Sequence, residues 1–366
     1  MISPKSPLEA LPLEMLQLIL MTLPSVSDLR SAALTCFALY NAFMSAESLI
    51  TGRVLADEVG LDLLPEYAAV SDSLRLKSQT VPKIDEFVAE HLRVPRAPRR
   101  PWTLAMALRI GNLHCSVDDF ATRFASTALT LWPGAERTGL KHAPPSHDEM
   151  IRIKSALCRL EIYRNIFFDP ENDRFDAEQQ RRVFFSHFPP WENEQLACIH
   201  DYLIDAVYPL FCEVAEQDYY SWGVFDIQHS QRFKSGHMQH LLFLGLARLQ
   251  QIITVDFKTR QKLLFAKHPG YIHDYLNTGL RMSYRCDDES SPSPDALLSH
   301  VKSTNDDDES DSGPREAWSF WHEGESPSHW VNSDLHLNRQ WGYVLWDRDR
   351  FNQWGMLETT LPSSSP

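Results

Sequence analysis

Between Leu11 and Leu23 almost every position is apolar: Leu13, Met15, Leu16, Leu18, Ile19, Leu20, Met21 and Leu23. A helix that is apolar all round must be buried all round. Pro12 suits its first turn, because proline fixes its own φ and brings no N–H that needs a partner; it also biases Leu11 towards an extended backbone. The residues that follow, to about position 50, give only short helical stretches, with Ser25 or Ser27 placed to cap one running through Leu29 and Leu34. A bundle this small lacks the surface to cover every side of the first helix. Either a partner covers the rest, or the larger part of the chain does. Leu29, Leu34 and Tyr40 are the expected internal core of the bundle.

The remainder also reads as helix. Stretches are expected at about 49–59 and 84–92. Leu104, Leu108, Phe120, Phe124 and Leu131 keep helical spacing, with a break near Gly111. Ser146 precedes a strong helix with Ile151, Ala156, Leu160, Tyr163 and Phe167 at three- and four-residue spacing. Trp191 to Glu216 carries the clearest stripe, Leu196, Ile199, Leu203, Val207, Leu210 and Val214, with Pro209 expected to kink it. Further helices are expected at about 235–253, at 256–266 and after Pro269. There is no sustained alternation of period two and no internal repeat, and 14 glycines in 366 residues leave few for tight hairpins. The fold class is therefore all-α: a small N-terminal helical bundle followed by a larger irregular helical domain.

Charge divides the chain further. Residues 287–313 hold nine acids and one lysine, a net −8 out of −14 overall. With almost nothing apolar to bury, this stretch is expected to be a disordered linker. Ser303 and Thr304 ahead of the acids are candidate phosphorylation sites, and Asp311-Ser312-Gly313 resembles the start of a phosphodegron. A second linker is expected at 93–101, where Arg93, Arg96, Arg99 and Arg100 stand among prolines. Six of the ten tryptophans follow residue 317, and Leu337, Trp341, Val344 or Leu345, and Phe351 fit one face of a helix expected to dock on the main domain. The organisation is thus 1–55 N-terminal bundle, 56–286 helical domain, 287–313 acidic linker and 314–366 Trp-rich segment.

The first segment resembles a known motif. Leu11-Pro12-Leu13-Glu14 opens it, the run to Leu23-Pro24 follows, then Asp28-Leu29, Ala33-Leu34-Thr35-Cys36 and Tyr40. This is similar to the F-box over about forty-five residues, with Phe37 standing where a basic residue often follows the cysteine. Ala156–Asn165, Pro190–Cys198 and Trp341–Asp347 are similar to stretches of F-box proteins from filamentous fungi. The resemblance implies a substrate receptor of a Skp–cullin–F-box ubiquitin ligase. Its F-box would bind a Skp-type adaptor, and through it a cullin, while the helical domain selects an unknown client protein. Leu11, Pro12, Leu16, Ile19, Leu20 and Leu23 are the candidate adaptor-binding residues; spacing alone does not divide them between the adaptor surface and the internal core. A helical scaffold working outside a ligase is the alternative, and an all-helical enzyme the remote one.

No intact catalytic or metal motif accompanies this pattern, so no enzyme activity and no cofactor are expected. Asp307-Asp308-Glu309-Ser310-Asp311 matches the DDxxD diphosphate–magnesium motif in letters, but it lies among serines and lacks a second metal motif. An EF-hand register from Asp308 puts Ser319 where the bidentate glutamate belongs. Gly134–Lys141 departs from a P-loop at Leu140 and His142. His237 and His240 lack a third ligand, and His200-Asp201 lacks a nucleophile. The tryptophans read as core rather than as a ligand cage. No basic face supports nucleic-acid binding. The run to Leu23 is too short for a bilayer, contains Glu14 and Gln17, and has only Lys5 before it, so neither a signal peptide nor a membrane span is expected. The six scattered cysteines read as free thiols. Together these place the chain in the cytoplasm or nucleus.

Overall fold

The computed structural model describes residues 7–76, 80–92, 101–134, 143–168, 175–217, 236–265, 276, 278–280, 312–322 and 335–356. Among them every regular element is helical, as the pattern predicts. The chain opens with α1 (Leu13–Met21), α2 (Val26–Ala33), α3 (Phe37–Ser45) and α4 (Glu47–Val59). Ser25 caps α2: its Oγ accepts the Asp28 N–H at 3.1 Å. Leu16, Leu20, Val26, Leu29, Leu39, Phe43 and Ile50 fill the space between these helices.

This bundle joins the rest of the molecule without a break. The boundary expected at 55 falls inside α4, whose Val54, Leu55 and Val59 are buried and which packs against α7 (Leu104–Leu131). Side chains of α4 also hold the start of α7: Glu47 accepts the Leu104 N–H at 2.9 Å and Ser48 accepts the Trp102 N–H at 3.1 Å. α7 runs straight through Gly111, where a break was expected. One glycine costs a helix only about 1 kcal/mol, and the buried face from Met106 to Leu129 outweighs that.

α5 (Leu64–Ser73) and α8 (His147–Phe167) pack on α7 and on each other, and α6 (Val81–His91) packs on α5. α8 begins with a full capping box, Ser146 with Glu149. It lies at the centre, with Ile153, Leu157, Leu160, Ile162 and Tyr163 all buried. Tyr163 heads an aromatic cluster with Phe167, Phe184 and Phe185, the last two from the segment that follows α9 (Ala177–Val183). α10 (Pro190–Gln217) packs on α8, and its Leu196, Ile199, Leu203 and Val207 are buried; Leu210 is half-buried, and Pro209 sits within the helix on its exposed side.

The single helix expected at 235–253 is two, α11 (Gly236–Phe243) and α12 (Leu246–Thr254), before α13 (Phe257–Phe265). They part at Gly245, whose φ of +92° favours glycine. Both ends of the break are held by α8. Arg164 Nε donates to the Phe243 carbonyl at 2.6 Å, and Glu161 accepts the Leu246 N–H at 2.6 Å. Of the helix expected after Pro269, only helical residues 276 and 278–280 are described.

The C-terminal part docks, but in a different form from that expected. α14 (Ser312–His322) already begins at Ser312, so the last two residues of the expected linker are helical. Residues 287–311 lie outside the described residues, as do 93–100. The expected tail helix is divided into α15 (Leu335–Gln340) and α16 (Arg348–Trp354) by a turn over residues 341–346 that contains Gly342, φ +65°. The turn carries the buried payload, Trp341, Tyr343, Val344, Leu345 and Trp346, while Leu337 is exposed.

Candidate protein-docking site

α1 meets α3 and α4 through Leu16 and Leu20, one turn apart on its inner face. That choice leaves Met15, Leu18 and Ile19 on the outer face, at i, i+3 and i+4. α3 turns Leu39, Ala42 and Phe43 inward, which leaves Phe37, Tyr40 and Met44 outward at i, i+3 and i+7. The two helices pack on one another, and Gln17 Nε2 donates to Ser45 Oγ at 2.9 Å between them. Each therefore shows an apolar stripe on its free side.

These side chains are well exposed: Leu18 at 55%, Phe37 at 77% and Met44 at 51%. Of the fifteen large apolar side chains exposed among the described residues, ten lie in the short stretch from Leu8 to Leu49, including Leu13 and Leu34. Scattered single hydrophobics are ordinary on a protein surface, but a concentration marks an interaction site. Glu14 is the only charged residue on α1 or α3. A face without lysine or arginine offers nothing to a phosphate backbone or an anionic bilayer, and it suits an apolar protein surface.

Of the six residues expected here, Pro12 and Ile19 are exposed and Leu11 and Leu23 half-buried. Leu16 and Leu20 are corrected: both are buried, at 3% and 0%, because they form the contact with α3 and α4. Two expected core residues are corrected as well. Leu34 is the C-cap of α2 and points outward, and Tyr40 lies a third of a turn from the inner Leu39. Met15, Leu18, Phe37 and Met44 were not among the expected site residues. Phe37, where the resembling motif often has a basic residue, was the available signal.

The polar clusters inside the protein are hydrogen-bonded among themselves. His200 Nδ1 is 2.9 Å from Asp201 Oδ1, and its other nitrogen meets Gln239, all three buried. Tyr67 Oη lies 2.9 Å from His114 Nδ1; burial raises the tyrosine and lowers the histidine from their ordinary pKa values. Burial lowers the pKa of His240 too; the His237 side chain lies outside what is described. Among the described residues no three His, Cys, Asp or Glu side chains group to hold a metal ion. Gly313 to Ser319 of the EF-hand register lie in α14, whereas 306–311 and most of the P-loop-like stretch are outside the described residues. Cys36, Cys115, Cys158 and Cys198 are free thiols; Cys115 is exposed, and burial pushes Cys158 and Cys198 well above the usual thiol range. No described helix is long and apolar enough to cross a membrane.

Comparison with known protein families, with curated proteins and with solved structures finds no match to this chain.

Proposed function

We propose that this chain is the substrate-recognition subunit of a Skp–cullin–F-box ubiquitin ligase. The stripes of α1 and α3 dock on a Skp-type adaptor, which brings a cullin, and the helical body behind them presents a client protein. The chain itself carries out no catalysis and needs no cofactor. The observation that supports this reading is the gathering of exposed apolar side chains on the same forty-odd residues that resemble the F-box. Each such side chain buried by the adaptor would contribute about 1.5–3 kcal/mol before the costs of association. A cytoplasmic or nuclear location follows from this role.

The test is co-expression with Skp-type adaptors, including one from a filamentous fungus, followed by pull-down and circular dichroism. Wild type should capture adaptor and cullin. Leu18→Asp with Phe37→Asp should abolish capture and leave the helical signal unchanged. If folded wild type captures no adaptor from any species tested, the ligase reading fails. Capture of adaptor without cullin would favour a scaffold outside a ligase.

A further inference from the structure

The C-terminal segment is fastened to the body by a pattern of charge as well as by its aromatic rings. Three charged side chains of the segment, Arg339, Asp347 and Arg350, alternate in sign where they meet the body, while Arg348 and Asp349 between the last two are exposed. The body meets them with minus, plus, minus: Glu194 on α10, and Arg152 and Glu149 on α8. Arg339 grips Glu194 with two bonds, Nε to Oε1 at 2.6 Å and Nη2 to Oε2 at 3.0 Å. Arg350 grips Glu149 likewise, at 2.7 and 2.6 Å. Arg152 pairs with Asp347 and also donates to the Leu345 carbonyl at 2.7 Å. Glu149 and Glu194 are fully buried. Gln195 adds a bond to the Val344 carbonyl at 3.0 Å, and the Glu149 carboxylate accepts the Asp347 N–H at 2.9 Å.

Buried charges are costly when misaligned, so three alternating pairs admit one register of the segment and oppose others. Alongside them Trp341, Tyr343, Trp346 and Phe351 supply fully buried apolar surface. Thirty-one residues separate Leu280 from Ser312 in the sequence, and every bond named above belongs to the contact itself.

We propose that the face formed by α8 and the first half of α10 is a peptide-recognition site that binds the C-terminal segment of this chain without needing the covalent connection. The site takes an arginine- and tryptophan-rich peptide, reads its charge order, and keeps hold of it after the chain is cut within 281–311. Proteolysis there yields a two-piece protein rather than a damaged one. This inference is independent of adaptor binding.

The experiment places a specific protease site between residues 295 and 300 of the full chain. After complete cleavage, size-exclusion chromatography and native mass spectrometry should show both pieces together in one-to-one ratio, with a melting temperature close to that of the uncut protein. Labelled synthetic peptide of residues 312–356 should exchange into the cut protein. The same peptide carrying Arg339→Gln and Arg350→Gln should bind about thirtyfold more weakly or worse, since truncating one partner of a buried charge pair is that damaging. Separation of the pieces, or precipitation of the body on cutting, would overturn the proposal. Equal binding of the two peptides would overturn the charge-reading part of it, and no mutation of the body is needed for either result.

Discussion

The Glu58 carboxylate on α4 accepts the Val26 N–H at the start of α2, 2.8 Å away, and lies against Gly111 of α7. One side chain thus joins three helices, two from the N-terminal bundle and one from the body.

This arrangement predicts a coupling. A Cβ at position 111 would stand 3.1 Å from Glu58 Oε1, tighter than ordinary contact. Gly111→Ala should gain about 1 kcal/mol of helix propensity and forfeit it by displacing Glu58, for no net stabilisation. Glu58→Ala should cost about 1–2 kcal/mol through the lost bond. In that background Gly111→Ala should become stabilising. Urea unfolding of the four proteins of the cycle measures this, and simple additivity would contradict it.

The inner and outer faces of α1 should separate in stability measurements. Leu16→Ala or Leu20→Ala removes a side chain from a packed core and should cost about 2–5 kcal/mol. Met15→Ala and Leu18→Ala should stay within about 0.5 kcal/mol, as surface substitutions do. Thermal melts of the single variants, without any partner, test the assignment; a large loss at Leu18 would mean that this face is covered within the protein.

Gly245→Ala meets two obstacles, a φ of +92° and the Arg164 guanidinium, whose Cζ lies 2.9 Å from the new Cβ. We expect a loss of more than about 1 kcal/mol and faster amide exchange at Leu246. Glu161→Ala should expose the same amide by removing its acceptor, so the two variants should share that exchange signature.

Stability should fall as pH falls below about 6.5. Burial, then the nearby Lys154, hold the His114 pKa below its ordinary 6.5, against the opposing pull of Asp118 and Glu58. The unfolded chain therefore binds the proton first, and protons favour unfolding. The stabilisation is complete above the unfolded value and is lost as pH drops through the folded one. His114→Gln should flatten the part of the profile just below 6.5. Denaturation midpoints at several pH values between 7 and 5 provide the comparison, and an identical slope in the variant would rule His114 out as a source.

Helix content, the Ser25 cap of α2, the capping box of Ser146 and the stripe of α10 were legible in the sequence, because each arises from residues within a few positions of one another. The apolar surplus of the first helix was legible too, and with it the need for more cover than the bundle provides. Which side of α1 goes inside was not, since a helix apolar all round carries no directional signal and Leu16 is chosen over Leu18 only by the arrival of α3 and α4. The α11–α12 break was hidden for a related reason: Gly245 is tolerable within a helix until Arg164 and Glu161, some 80 residues earlier, hold the two new ends. The tail shows the same division. Its tryptophans announce that it must be buried, but a helix and a turn bury such residues equally well. The turn is selected by bonds such as Arg339 to Glu194, 145 residues apart, because local propensities differ by less than the free energy of satisfying buried charges.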